Sequence, residues 1–85
     1  MSYFVYLLVS TKKSRVISYV GYTNNLKKRL SLHNKGKGAK FTRGSSWKMI
    51  YKKKYTSKQE AMSEEYKLKK NYKLRNKMKI KFYSN

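Results

Sequence analysis

Residues Tyr3-Phe4-Val5-Tyr6-Leu7-Leu8-Val9 form an unbroken apolar, aromatic and β-branched run. With no polar alternation the run has no solvent face, so it predicts a strand buried on both sides and central in its sheet. Ser10 to Ser14 reads as a polar turn, and Val16 to Tyr22 as a second strand hairpinned to the first. Gly21 inside that strand marks a bulge or a close backbone approach. Thr23 or Asn24 can cap a helix from about Asn25 to Asn34, and Gly36 stands just past its end as a stop signal. Residues 35–46 form a glycine- and lysine-rich loop. Trp47 to Tyr55 predicts a third strand, with Trp47, Met49, Tyr51 and Tyr55 on one face. The other face carries Lys48, Ile50, Lys52 and Lys54, the pattern of an edge strand. Ser57-Lys58-Gln59-Glu60 is a capping box that opens a second helix running to about Asn71 or Tyr72. Leu74, Met78 and Phe82 recur at helical spacing in the basic stretch 73–85, a short third helix or a loose arm. The expected class is α+β: a three-stranded antiparallel sheet flanked by helices, in the order β-β-α-β-α.

Composition narrows the function. With 85 residues the expectation is one domain spanning 1–85, with a modest core and little stability to spare. There is no cysteine, which removes disulfides and thiolate metal sites. The net charge of +20 comes from 23 basic and 3 acidic residues, the latter being Glu60, Glu64 and Glu65. Such a surplus calls for a polyanion, with nucleic acid ahead of an anionic membrane surface. No apolar run approaches the ~20 residues that span a bilayer. The chain opens on an apolar stretch without the basic segment of a signal peptide, so a soluble, cytoplasmic protein is expected. A lysine-biased genome accounts for some of the lysines but little of the near-absence of acids.

Three residues break the helical patterns. On the first helix Leu26, Leu30 and Leu32 mark the inner arc, and Arg29 and His33 lie within it, one turn apart. The inward cation is an arginine in a lysine-rich chain, and its planar fork suits a pair of phosphate oxygens. The plainer reading has Arg29 snorkelling from the edge and His33 as a satisfied boundary residue. On the second helix Glu65 projects among Ala61, Leu68 and Tyr72, where an unpaired carboxylate pays desolvation unless it meets a cation or a metal. A structural salt bridge, with Arg29 among the candidate partners, is the plainer reading there. In the loop, Lys35, Lys37, Lys40 and Arg43 can grip phosphates, or simply be solvated.

The ordered set of these features resembles the GIY-YIG nuclease family, specifically its small stand-alone, UvrC-like bacterial-type members. Phe4-Val5-Tyr6 stands where the family has Gly-Ile-Tyr, and Tyr19-Val20-Gly21 where it has Tyr-Ile-Gly. Arg29 and His33 follow ten and fourteen residues after Tyr19. Gly36 to Gly44 is similar to the loop of the small bacterial members, and Ala61 to Lys69 to the family's glutamate helix, with Glu65 in the metal position. The first motif keeps only its tyrosine, Tyr22 stands where some members have a lysine, and Asn71 and Asn76 are both candidates for a late asparagine.

The resemblance implies metal-dependent hydrolysis of DNA phosphodiesters. Glu65 would hold one Mg²⁺ or Mn²⁺, with waters and a phosphate oxygen completing the shell. Arg29 would neutralise charge on the scissile phosphate. Tyr6 or Tyr19 would activate the attacking water, with His33 orienting a tyrosine or sharing the proton traffic. The expected partner is DNA, whether duplex, branched or single-stranded, bound through its backbone and selected by shape by a monomer or weak homodimer. The competing reading is a non-catalytic basic nucleic-acid-binding protein, which fits charge and size equally but gives no reason for Glu65 or the Arg29–His33 pair. A degenerate nuclease fold retained for binding is a third reading, and the intact set of five residues argues against it.

Overall fold

A computed structural model describes residues 2–12 and 14–84. Strands β1 (Tyr3–Lys12) and β2 (Arg15–Thr23) lead into helix α1 (Leu26–Asn34), strand β3 (Lys48–Tyr55), and helices α2 (Lys58–Lys70) and α3 (Tyr72–Tyr83). The sheet is antiparallel with the order β2-β1-β3, the α+β arrangement expected, with the third helix formed.

The apolar run makes β1 the central strand, and Val5, Tyr6, Leu7, Leu8 and Val9 are each at most 2% exposed. Its side chains feed two cores, one on each face of the sheet. Val5 and Leu7 join Val20, Ala61, Leu68, Tyr51, Tyr55 and Met78 beneath α2 and α3. Tyr6 and Leu8 join Trp47, Tyr19, Leu26, Leu30 and Met49 beneath α1. Burying each aliphatic side chain contributes about 1.5–3 kcal/mol, so β1 ties both layers together.

Five local expectations change. The hairpin is tighter than a Ser10–Ser14 turn: pairing continues to Lys12 opposite Arg15, and Ser10 is a buried strand residue. Of the turn itself, Ser14 takes a positive φ of 65° and Lys13 lies outside the described residues. The sheet's irregularity falls on β3, not at Gly21. Leu7 faces Tyr51 and Leu8 faces Met49, leaving Ile50 as an extra residue. A bulge resets the alternation, so Trp47 and Met49 face α1 while Ile50, Tyr51 and Tyr55 face α2 and α3. The cap of α1 is Asn25, whose side chain accepts from the Lys28 amide, because Thr23 and Asn24 are still completing β2 and its exit. Leu32 leaves the core and lines a surface cleft with Arg29.

Finally, α2 ends at Lys70, so Tyr72 does not extend its inner face and is 63% exposed at the start of α3. Asn71 divides the helices by accepting from the Leu74 amide as the cap of α3. Arg75 fastens the joint: its guanidinium donates to the carbonyls of Leu68 and Lys69 and to the Ser18 hydroxyl. A cation on the last carbonyls of α2 is favoured by both hydrogen bonding and the helix dipole.

Candidate active site

Tyr6 sits directly opposite Gly21 across the β1–β2 pair. Its phenol folds over that glycine: a Cβ there would lie 2.6 Å from Tyr6 Cζ and 3.2 Å from Tyr19 Cε2. Of the two readings of Gly21, the close approach is the one the structure contains. It lets the phenol lie flat and reach the C-terminal end of α1.

There the Tyr6 hydroxyl meets His33 Nε2 at 2.9 Å. His33 is fully buried, and its other ring nitrogen, Nδ1, lies 2.8 Å from the Thr42 hydroxyl. Thr42 is equally buried and donates its one proton to the Ala39 carbonyl at 3.0 Å. A hydroxyl has one proton to give. Thr42 therefore offers His33 only a lone pair, which assigns the imidazole proton to Nδ1. Nε2 is left as an acceptor, and the Tyr6 hydroxyl donates to it.

The loop expected to grip phosphates or to be solvated also holds this series of hydrogen bonds in place. Its inner stretch passes so close to the imidazole that a Cβ on Gly38 would stand 2.7 Å from His33 Cγ. The Trp47 indole donates to the Thr42 carbonyl at 2.9 Å. Asn34 closes the loop's ends by accepting from the Trp47 amide at 2.6 Å and donating to its carbonyl at 3.3 Å. Lys35, Lys37, Lys40 and Arg43 project from this anchored loop as exposed side chains.

Arg29 comes from α1 to within electrostatic reach of the Tyr6 hydroxyl, while its own Nε is buried without a hydrogen-bond partner among the described residues. It also lines a cleft of about 380 Å³ with Tyr3, Tyr22, Thr23, Asn24 and Lys58. Burial pushes the Tyr6 hydroxyl above its ordinary value, against the pull of the Arg29 guanidinium; the charges of Tyr19 and Glu65 push it the same way as burial. Burial and the Arg29 charge together hold His33 below its usual range, so the imidazole is neutral at neutral pH.

Glu65 reaches the same electrostatic neighbourhood from α2. Its side chain is 18% exposed and forms an ion pair with Lys69 at 3.7 Å, one turn along the helix, instead of the Arg29 pair considered above. Among the described residues no three His, Cys, Asp or Glu side chains converge on a metal-sized site. One carboxylate with room for water suits a hard cation such as Mg²⁺ and does not suit zinc.

Five predicted residues thus converge: Tyr6, Arg29, His33 and Glu65 by hydrogen bonding or charge, and Tyr19 by ring contact with His33 at 5.0 Å. The two asparagines lie elsewhere. Asn71 caps α3, and Asn76 lines an apolar patch with Val16, Tyr72 and Ile80. Thr42, Gly38 and Asn34 were missed as functional positions. Thr42 and Gly38 carry only the signal of a loop that looks solvated, and Asn34 that of a polar residue at the end of α1.

The sequence model of the GIY-YIG catalytic domain matches residues 2–79. A UPF0213 protein of Oceanobacillus iheyensis is 48% identical over 66 residues, covering 76% of this chain and 73% of that protein. One from Streptococcus pneumoniae is 52% identical over 48 residues, covering 55% of this chain and 48% of its own length. The chain therefore spans only about half of some of the relatives it matches. The solution NMR structure of a UPF0213 protein from Bacillus halodurans is similar, with a TM-score of 0.50 and 31% identity over 96% of this chain and 85% of that one. No helix among the described residues is long and apolar enough to cross a membrane. With the domain match spanning nearly the whole chain, the chain belongs to the GIY-YIG family.

Proposed function

We propose that residues 1–85 act as one metal-dependent DNA endonuclease domain that hydrolyses phosphodiester bonds and selects DNA by shape. The observation that carries this reading is the buried donation from Tyr6 to His33 Nε2 at 2.9 Å, with Arg29 against the same phenol. A structural tyrosine needs no neutral imidazole held in one tautomer behind it.

Tyr6, not Tyr19, is the base in this reading. Its oxygen takes a proton from the attacking water while its own proton passes to His33 Nε2. The water oxygen bonds to phosphorus and the phosphorus–oxygen bond opposite it breaks. Burial keeps His33 neutral, so its Nε2 lone pair is free to take that proton, although the same burial and the Arg29 charge make the ring a weaker base than a free imidazole. Thr42 holds the ring in the accepting tautomer. Arg29 neutralises the charge that builds on the phosphate, where a guanidinium in a water-poor site acts strongly. Nucleases of this family in general use divalent metals. Glu65 would hold such an ion, Mg²⁺ or Mn²⁺, which would supply further charge neutralisation and lower the pKa of the attacking water. The exposed Lys35, Lys37, Lys40 and Arg43 would track the DNA backbone.

The test is cleavage of labelled single-stranded, duplex, flap and branched DNA with Mg²⁺ or Mn²⁺, with and without chelator. Glu65→Ala and Arg29→Ala are expected to bind DNA but not cut it. Tight binding without cutting on every substrate, or undiminished cutting by Glu65→Ala, would overturn the assignment in favour of a binding protein.

A further inference from the structure

Phe41 is 59% exposed, yet it sits on the same anchored loop as the fully buried Thr42. Its ring stacks on Tyr19 with centroids 6.3 Å apart and planes 21° from parallel. Tyr19 in turn meets the His33 ring at 5.0 Å, and His33 meets Tyr6 at 5.9 Å. A series of rings therefore runs from solvent to the candidate base, and Phe41 is its outer member.

The ring is held in position. The amides of Thr42 and Arg43 close a turn onto the carbonyls of Ala39 and Lys40, and the Trp47 indole holds the Thr42 carbonyl. Flanking Phe41 are the exposed cations Lys40 and Arg43, and the loop from 35 to 46 contains no acid. A polyanion that also offers flat π faces complements this surface. Duplex DNA offers the charge but keeps its base faces stacked inside; an unpaired strand offers both.

We propose that Phe41 is a stacking platform for an unpaired DNA base, selecting single-stranded or locally opened DNA at the mouth of the site. This rests on the nuclease reading only for its biological purpose, because the binding itself needs neither metal nor cutting. Lys40 and Arg43 hold the backbone on either side, and the free part of the Phe41 ring receives the base.

The experiment is equilibrium binding, in chelator, of labelled oligothymidylate and of an abasic strand of the same length. The abasic strand keeps the phosphates and removes the bases. The protein is expected to prefer oligothymidylate by roughly 5- to 100-fold, the range typical of one base stacked on an aromatic ring. Phe41→Ala and Phe41→Leu should lose most of that preference while binding the abasic strand as before; Phe41→Trp should keep it. The leucine variant retains apolar cover over Tyr19, so it separates stacking from packing. An undiminished preference in the leucine variant, or equal losses on both strands, would overturn the proposal. Cutting by the wild type under Mg²⁺ is scored separately: preference without cutting would sink the nuclease reading alone, and cutting without a Phe41-dependent preference would sink this one alone.

Discussion

The Tyr6 hydroxyl and the His33 imidazole, 27 positions apart in the chain, meet at 2.9 Å in a buried contact. One stands on the central strand and the other at the end of α1, so the contact joins sheet to helix as well as proton donor to acceptor. Gly21 makes room on the tyrosine's side and Gly38 on the histidine's.

Removing the phenolic oxygen isolates the role of this contact. Tyr6→Phe keeps the ring and the core volume, so folding and DNA binding should persist. Cleavage should fall by about 100-fold or more, the usual scale of lost acid–base assistance. Tyr19→Phe, whose hydroxyl has no part in the chain to Thr42, should lose less than about tenfold. Single-turnover rates on one substrate compare the two, and equal losses would return the base to an open choice.

Thr42→Val would leave His33 Nδ1 buried without its oxygen. The expected cost is about 1–3 kcal/mol in denaturant unfolding. Nitrogen NMR of the imidazole should also show the tautomer no longer confined to Nδ1–H. Thr42→Ser restores the hydroxyl and should recover most of both. A valine variant with an unchanged tautomer would contradict the assignment of the proton.

Gly38→Ala should be more damaging than an alanine in a basic loop ordinarily is. The added methyl stands 2.7 Å from His33 Cγ, and the ring behind it is fully buried, so ring or loop must shift. Overpacking of this kind costs about 1–3 kcal/mol, and cleavage should fall further than stability explains. Thermal unfolding and cleavage rates, measured together, would show it.

The pH dependence of stability follows from the two shifted groups. His33 is held below its ordinary 6.5, so at lower pH the unfolded chain gains a proton that the buried ring resists. Its stabilising contribution is complete above about 6.5 and is lost as pH falls below that value. Tyr6 is held above its ordinary 10.0, so its contribution is complete below about 10 and is lost as pH rises beyond it. Unfolding free energies across pH for the wild type and His33→Gln test the acid side. The variant should be less stable overall but show a shallower acid slope. The acid limb of cleavage should lie below 6.5, since His33 acts neutral.

Charge removal from the loop should act on binding alone. Replacing Lys37, Lys40 and Arg43 with alanine should weaken binding to every DNA sequence and reduce the salt slope by about 0.7–0.9 per lost phosphate contact. Fluorescence titrations at several salt concentrations would measure it. An unchanged slope would move the DNA interface away from this loop.

What the sequence by itself determined was whatever depends on near neighbours in the chain. The unbroken run from Tyr3 to Val9 made β1 central, because seven residues without a polar face can be satisfied only with cover on both sides. The capping serine at Ser57 started α2, and the arc of α1 flagged Arg29 and His33 before any fold existed. Tertiary structure decided what depends on meetings across the chain. The bulge at Ile50 divided the face expected of β3, because the register against Leu7 and Leu8, not alternation, sets where its side chains go. The end of α2 near Asn71 was legible in the sequence, but what holds the joint was not: the Arg75 clamp on Leu68, Lys69 and Ser18 forms only across the fold. The role of Thr42 was hidden most deeply. A threonine among lysines and glycines has the signature of a solvated loop, and only the fold brings its hydroxyl to a buried imidazole nine positions earlier, fixing which nitrogen of His33 faces Tyr6.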